Sequence, residues 1–309
     1  MAGWTPSYWK DLAPRLAKTT GSKVITHDRA GEGESDEVSG PWRVENAVSD
    51  LEAGLEESGV TKDVVLVSHS IAGEVATNFV VKNPGWVSGA VLVDANVPDF
   101  FTDGVLTAFE PVVEARRAAL LEQESTKENR RLLAVLVDYA PVHRVFRELS
   151  WPEDVPVTVV VASETPFVDL PEAAAMWRDG QARFARGGPN RKHVVAENTS
   201  HEGIVTERPD VITGAVEDVV ETVRQPRCGS LSPANAARTS STKGPGCSQA
   251  ARWPPACVCP KWTGLVRRRS VQRRDSRTTS SAVIVTPVGR VSGASGVDGG
   301  RHPSRTSSQ

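Results

Sequence analysis

Two side chains that can act together as nucleophile and base stand far apart in this chain. Ser70 lies in the segment VVLVSHSIAG, Val64–Gly73, where an apolar run gives way to a helical pattern. His201 lies in a polar loop, ENTSHEG, that follows another short apolar run. A serine hydroxyl becomes a nucleophile when an adjacent base accepts its proton. The pair therefore predicts covalent attack by Ser70, with His201 as the base.

The local sequence around Ser70 favours a tight turn between a strand and a helix. Ser68 and Ala72, two residues before and after Ser70, are both small. Bulky side chains at those positions would clash where the strand and the helix approach each other, and the turn itself strains the backbone of Ser70. The alternative is an ordinary strand–turn–helix in which Ser70 only caps the helix.

The elements that would position these residues alternate between strand and helix. Apolar runs predict five strands, at Lys23–Thr26, Val64–Val67, Ala90–Val93, Val157–Val161 and His193–Ala196. Helical spacing of apolar residues lies between them, as at Val44, Val48, Leu51 and Leu55, and again from Val211 to Val223. This alternation predicts an α/β fold with a mostly parallel sheet covered by helices on both faces.

Two motifs resemble the α/β-hydrolase family. The Ser70 segment is similar to the family's G-x-S-x-G turn, with Ser68 and Ala72 in place of the glycines. The segment His27–Asp36 is similar to its D-R-x-G-x-G-x-S-D loop, and we interpret it as a structural turn. The resemblance covers about residues 2–225. Between Val97 and Trp151 there is no strand pattern, only helical stretches such as Val112–Gln123 and Arg130–Tyr139, which predicts a helical cap at about 97–151 over one edge of the sheet.

The resemblance also implies positions for the base and the acid. His201 follows the last predicted strand, as the family's catalytic histidine does, with Ser200 replacing the usual glycine. Some relatives, such as haloalkane dehalogenases, carry the acid after the strand that precedes the cap, and Asp94 stands there. Glu164 and Asp169, after the next strand, are the alternatives. Asp94 as a helix-capping or loop-ordering carboxylate is a further alternative.

An oxyanion hole needs two backbone N–H groups. The resemblance implies Ile71 as one donor and Ala2 as the other, with Gly3 the alternative to Ala2. The H-G pair that precedes the second donor in the family is absent from this sequence. We therefore expect the hydrolase domain, residues 1–225, to lack its N-terminal strands.

The two parts of the chain differ in charge and composition. Residues 1–225 hold 22 Lys and Arg against 36 Asp and Glu, whereas residues 226–309 hold 14 against 2. All four cysteines lie in the second part, which is rich in Arg, Ser, Gly and Pro and predicts a basic, disordered tail. The cysteine-free first part, with no signal peptide or membrane span, predicts a cytoplasmic protein.

The expected function is that of a serine hydrolase. It would cleave an ester-like bond of a small molecule through an acyl-enzyme, with no metal or organic cofactor and no membrane partner. One alternative is a catalytically inactive binding protein of the same fold. The other is association with nucleic acid through the tail, where Arg267–Arg269 and Arg273–Arg274 form a basic cluster. The sequence does not indicate a specific nucleic acid, and it leaves the substrate and the oligomeric state open.

Overall fold

The structure is a computed structural model of the 309-residue chain. It describes residues 8–32, 35–37, 40–167, 169–225 and 282–286. These residues all belong to one of the chain's two compact units, and the other unit, Pro226–Ser276, lies outside the described residues.

A six-stranded sheet occupies the centre of this unit. Its strands are β1 (Lys23–His27), β2 (Val64–His69), β3 (Val87–Val93), β4 (Val157–Glu164), β5 (Arg191–Ser200) and β6 (Ala282–Thr286). Their order across the sheet is β1-β6-β2-β3-β4-β5. β2, β3, β4 and β5 run parallel, whereas β6 is antiparallel to both of its neighbours. The ends of β2, β3 and β5 therefore lie at one edge of the sheet, and each is followed by a loop.

Helices connect and cover the strands. They are α1 (Leu12–Thr20), α2 (Val44–Glu57), α3 (Ala72–Lys82), α4 (Asp103–Leu121), α5 (Lys127–Leu136), α6 (Tyr139–Phe146), α7 (Pro171–Arg186), α8 (Ile204–Glu207) and α9 (Pro209–Arg224). Thr102 and Thr126 cap α4 and α5 by accepting a hydrogen bond from a first-turn backbone N–H. Proline opens α7 and α9, where its missing N–H has no cost. None of the described helices has the length and apolar content needed to cross a membrane.

The central strand β2 is buried along its whole length, which explains why its sequence is apolar without alternation. Leu66 packs into a hydrophobic cluster with residues of α2, α3 and the cap. Its neighbours Val65 and Val67 face the opposite side of the sheet and pack with α1 and α9. The sheet thus has a covered hydrophobic face on each side, as the alternation of strand and helix predicts.

The predicted fold class is confirmed, with differences in the helices. All five predicted strands are present, each with somewhat different bounds. The predicted cap helix Arg130–Tyr139 is divided into α5 and α6, because the backbone of Asp138 adopts a left-handed conformation with φ of 56°. The sequence analysis did not identify α1 or α7.

β6 is the main departure from the expectation for the tail. The sequence predicted no regular structure after residue 225, yet Ala282–Thr286 pairs with both β1 and β2. Its sequence, AVIVT, is short and mostly β-branched, which suits a strand. The position between β1 and β2 offers it backbone donors and acceptors on both sides, which outweighs the polar composition around it.

The position of β6 gives a testable prediction. Ile284 aligns with Ile25 of β1 and Leu66 of β2, so I284P removes a backbone N–H from the interior of the sheet. We expect the free energy of unfolding to fall by about 1–3 kcal/mol, the cost of an unsatisfied buried partner. Urea denaturation measures it. I284V, which retains the N–H and the β-branched shape, is the control and stays near wild type. Equal stability of I284P and I284V would contradict the assignment of β6 to the sheet.

Candidate active site

The turn after β2 holds Ser70 in a strained conformation. β2 ends at His69 and α3 begins at Ala72, so only two residues reverse the direction of the chain. The φ angle of Ser70 is 57°, in the left-handed region that non-glycine residues seldom occupy. Such strain persists where the surrounding structure imposes it, and it is frequent at functional sites.

Close packing behind the turn explains why its residues are small. A Cβ atom at Gly73 would lie 2.3 Å from the backbone oxygen of Asn96 and 2.9 Å from the Cβ of Ala95. Ser68 and Ala72, which the sequence analysis considered, are buried at the same place. The glycine that the packing requires is therefore Gly73, three residues after Ser70, which the motif comparison did not single out.

The structure brings Ser70, His201 and Asp94 together. The Nε2 atom of His201 lies 3.1 Å from the Oγ atom of Ser70. The Nδ1 atom of the same ring lies 2.7 Å from the Oδ2 atom of Asp94. Asp94 is 0% exposed and His201 is 5% exposed, so water does not compete for the contact between these two side chains. Glu164 and Asp169, the other candidates for the acid, are exposed.

A second hydrogen bond fixes the carboxylate of Asp94. The indole Nε1–H of Trp177, on α7, donates to Oδ1 at 2.9 Å, while Oδ2 accepts from His201. Asp94 follows β3 directly and has a φ angle of 41°, and its own backbone N–H donates to the carbonyl of Val160. A buried carboxylate is costly unless it is hydrogen-bonded, so these partners make the position of Asp94 tenable. The sequence analysis did not identify Trp177.

His69 supports the backbone of His201. Its Nε2 atom lies 2.9 Å from the carbonyl oxygen of His201, so Nε2 carries a proton and donates. Burial lowers the pKa of His69 well below its ordinary value, and the proximity of His201 adds to the effect. The two rings lie 4.7 Å apart, and the neutral His69 avoids repulsion when His201 accepts a proton.

The structure describes one of the two predicted oxyanion donors. Ile71 lies at the start of α3, where the first N–H groups of a helix have no acceptor within the helix. Ala2 and Gly3 lie outside the described residues, as do the basic residues Arg267–Arg269 and Arg273–Arg274 of the tail.

The loop after β1 is joined to the cap by an ion-pair network. Arg29 and Arg131, the latter on α5, both contact the carboxylate of Glu32. Ser35 donates to the carbonyl of Asp28, which closes the loop on itself. A cavity of about 470 Å³ lies beside this network, between the loop, the start of α2 and α5. Neither Ser70, His201 nor Asp94 lines that cavity, so we assign it no part in the chemistry of Ser70.

In the part of the chain that the structure covers, no group of three or more His, Cys, Asp or Glu side chains could hold a metal ion. The side chains at Ser70 are of the types that nucleophilic catalysis by a serine uses. A hydroxyl, an imidazole and a buried carboxylate follow one another at hydrogen-bond distances, and an imidazole so placed can take the hydroxyl proton.

Comparison with known proteins identifies the family. A sequence model of the alpha/beta hydrolase family matches residues 2–215. The chain belongs to this family. The match spans the sheet from β1 to β5, the cap and the loops that carry Ser70, Asp94 and His201.

Individual relatives of this alpha/beta hydrolase are more distant. A thermophilic esterase from Thermogutta terrifontis is 22% identical, covering 72% of this chain and 88% of that chain, with a TM-score of 0.46. A bromoperoxidase from Bacillus anthracis is 16% identical over the same shares, with a TM-score of 0.47. An uncharacterized protein of Schizosaccharomyces pombe is 34% identical over 88 residues, which are 28% of this chain and 16% of that protein.

The contact between Trp177 and Asp94 generates a prediction. W177F keeps a buried aromatic ring but removes the N–H that donates to Oδ1. We expect a fluorophosphonate probe to label Ser70 about tenfold more slowly, because a less firmly held Asp94 orients His201 poorly. W151F is the matched control, since Trp151 is equally buried and donates to the carbonyl of Val155. If the two variants were labelled at the same rate, Trp177 would have no special relation to the site.

Proposed function

We propose that the chain is a serine hydrolase that cleaves ester-like bonds of small molecules through an acyl-enzyme intermediate. The observation that carries the proposal is the hydrogen-bonded series from Asp94 through His201 to Ser70, with distances of 2.7 Å and 3.1 Å. Membership of the alpha/beta hydrolase family supports it, since hydrolysis is the chemistry from which that family takes its name.

In the acylation step Ser70 is the nucleophile, and His201 is first the base and then the acid. The Oγ atom of Ser70 attacks the carbonyl carbon of the ester while Nε2 of His201 takes the hydroxyl proton. The backbone N–H of Ile71 stabilises the oxyanion that forms, and we assign the second donor to Ala2. When the tetrahedral intermediate collapses, the bond to the leaving alcohol breaks, and His201 returns the proton to that oxygen.

Deacylation repeats the sequence with water. His201 removes a proton from a water molecule, whose oxygen attacks the acyl carbon on Ser70. The second tetrahedral intermediate releases a carboxylic acid, and Ser70 recovers its proton from His201. Asp94 stays ionised throughout, holds the proton on Nδ1 of His201 and stabilises the imidazolium that forms twice per cycle. No step requires a metal or an organic cofactor.

The proposal also includes a compartment and a partner. A cysteine-free domain suits a reducing environment such as the cytoplasm. The partner at the site is a small-molecule ester, and residues of the cap (97–151) and the loops around Ser70 select it.

The first test is removal of the nucleophile. S70A should abolish both fluorophosphonate labelling and hydrolysis of p-nitrophenyl acetate, because no other group supplies the attacking oxygen. Its free energy of unfolding should stay within about 0.5 kcal/mol of wild type, since the hydroxyl contributes little packing. S58A, at the end of α2, is the control and should react as wild type does. Labelling that persists in S70A would exclude Ser70 as the nucleophile, and a wild type that neither reacts nor hydrolyses would favour an inactive binding protein.

The second test concerns the acid. D94N should lower kcat/KM on the order of 10³–10⁴-fold, because an amide at this place favours the wrong tautomer of His201. D169N, at an exposed aspartate after β4, should leave kcat/KM within about twofold of wild type. Steady-state kinetics on p-nitrophenyl acetate measures both. The reverse pattern, with a large loss in D169N and little in D94N, would move the acid to the loop after β4.

A further inference from the structure

A second buried carboxylate lies close to Ser70 and has no part in the mechanism above. Glu74 belongs to the first turn of α3, four residues after Ser70, and is 1% exposed. Its Oε1 atom accepts a hydrogen bond from Nδ2 of Asn96 at 2.5 Å and lies 3.1 Å from Nε2 of His143. A carboxylate this deeply buried is costly unless charged or donor groups compensate it. Both of its partners come from outside α3.

His143 is the residue of the cap that contacts Glu74. It lies on α6 and is 3% exposed, with its ring stacked on Phe101 at 3.9 Å. Its Nδ1 atom is 2.7 Å from the carbonyl oxygen of Tyr139, and since a carbonyl can only accept, Nδ1 carries a proton. Nε2 faces Oε1 of Glu74, so a proton between these two atoms joins the ring to the carboxyl group in a buried hydrogen bond. The His143 ring is also held by its stacking on Phe101.

Asn96 connects Glu74 to the segments that carry Ser70 and Asp94. Its side chain donates to Glu74, and its backbone N–H donates to the carbonyl oxygen of Ser70 at 2.8 Å. The backbone oxygen of Asn96 also borders Gly73, where no side chain fits. Asn96 is therefore hydrogen-bonded both to Glu74 and to the turn that carries Ser70. It also lies only two residues after Asp94 in the chain.

We propose that the hydrogen bonds of Glu74 with Asn96 and His143 hold α6 in place and thereby determine the alignment of Ser70 and Asp94. We call these three residues the latch. Glu74 is thereby a positioning residue of the reaction, and this inference rests on the function proposed above. The energetic reason is that these buried polar groups depend on one another for their hydrogen bonds. Removing one partner leaves an unsatisfied polar group in the interior, so the cap and the Ser70 turn must adjust together.

The test uses neutral replacements of similar shape. E74Q replaces the carboxyl group that faces Nε2 of His143 by an amide, and H143Q removes the ring that faces Glu74. Each should lower kcat for p-nitrophenyl acetate by about 10–100-fold and leave KM within about twofold, because alignment rather than substrate binding is disturbed. In the double variant E74Q/H143Q the two amides can donate and accept between themselves. We expect its kcat to exceed that of E74Q by about tenfold, a coupling that independent sites do not show.

T77V is the structural control. Thr77 lies on the same helix, is fully buried and donates its hydrogen bond to the carbonyl of Gly73 rather than to Asn96 or His143. It should lower the unfolding temperature as E74Q does and leave kcat near the wild-type value. If E74Q retained wild-type kcat, or if E74Q/H143Q were no more active than E74Q, the latch would have no positioning role and the inference would be overturned.

A readout without catalysis separates this inference from the proposed function. Hydrogen–deuterium exchange in E74Q should increase together in two segments, residues 94–97 and 139–146, whereas T77V should leave both near wild type. Absence of that joint increase would overturn the latch even in a fully active enzyme. Conversely, a wild type that a fluorophosphonate does not label would contradict the proposed function, while joint exchange in E74Q would still support the coupling of α6 to residues 94–97.

Discussion

The site depends on one buried hydrogen bond, between the Oδ2 atom of Asp94 and Nδ1 of His201. Asp94 directly follows β3 and His201 directly follows β5, so the bond forms only if the parallel strands end at one edge of the sheet. Asp94 has no exposed surface, which makes its two hydrogen bonds a condition for folding and for orienting the imidazole. Ser70 follows β2 at the same edge, where the orientation of His201 decides whether Nε2 meets its hydroxyl.

The same region concentrates features that stability alone would not favour. Ser70 and Asp94 both have positive φ angles, and Glu74 and His143 form a second buried pair of carboxyl and imidazole groups. Strain and buried charge each cost free energy, and apolar residues of similar volume are often at least as stable as a buried ion pair. The hydrophobic clusters, one on each face of the sheet, supply stability that offsets these costs. The proposed hydrolytic site accounts for the strain at Ser70 and Asp94, and the proposed latch accounts for the buried pair of Glu74 and His143.

Much of the fold and the core of the site follow from local sequence, because their signals are local. Runs of apolar residues gave the five strands, and the small residues between a strand and a helix indicated the turn at Ser70. The resemblance to the α/β-hydrolase family, rather than local sequence alone, pointed to Asp94, with Glu164 and Asp169 left as alternatives. Trp177, by contrast, lies 83 residues from Asp94, and its helix carries no mark of the contact. Glu74 and His143 each look like an ordinary helical residue until the cap is folded onto α3. β6 was missed because five β-branched and apolar residues stand within a polar tail, and only the position between β1 and β2 makes them a strand.

The central claim is that Ser70 carries the acyl group during turnover, and mass spectrometry of the enzyme quenched in the steady state tests it most directly. With p-nitrophenyl acetate as substrate, we predict an added acetyl group on the peptide that contains Ser70. Hydrolysis that proceeds with no acyl group on that peptide, or with the group on a different residue, would contradict the account.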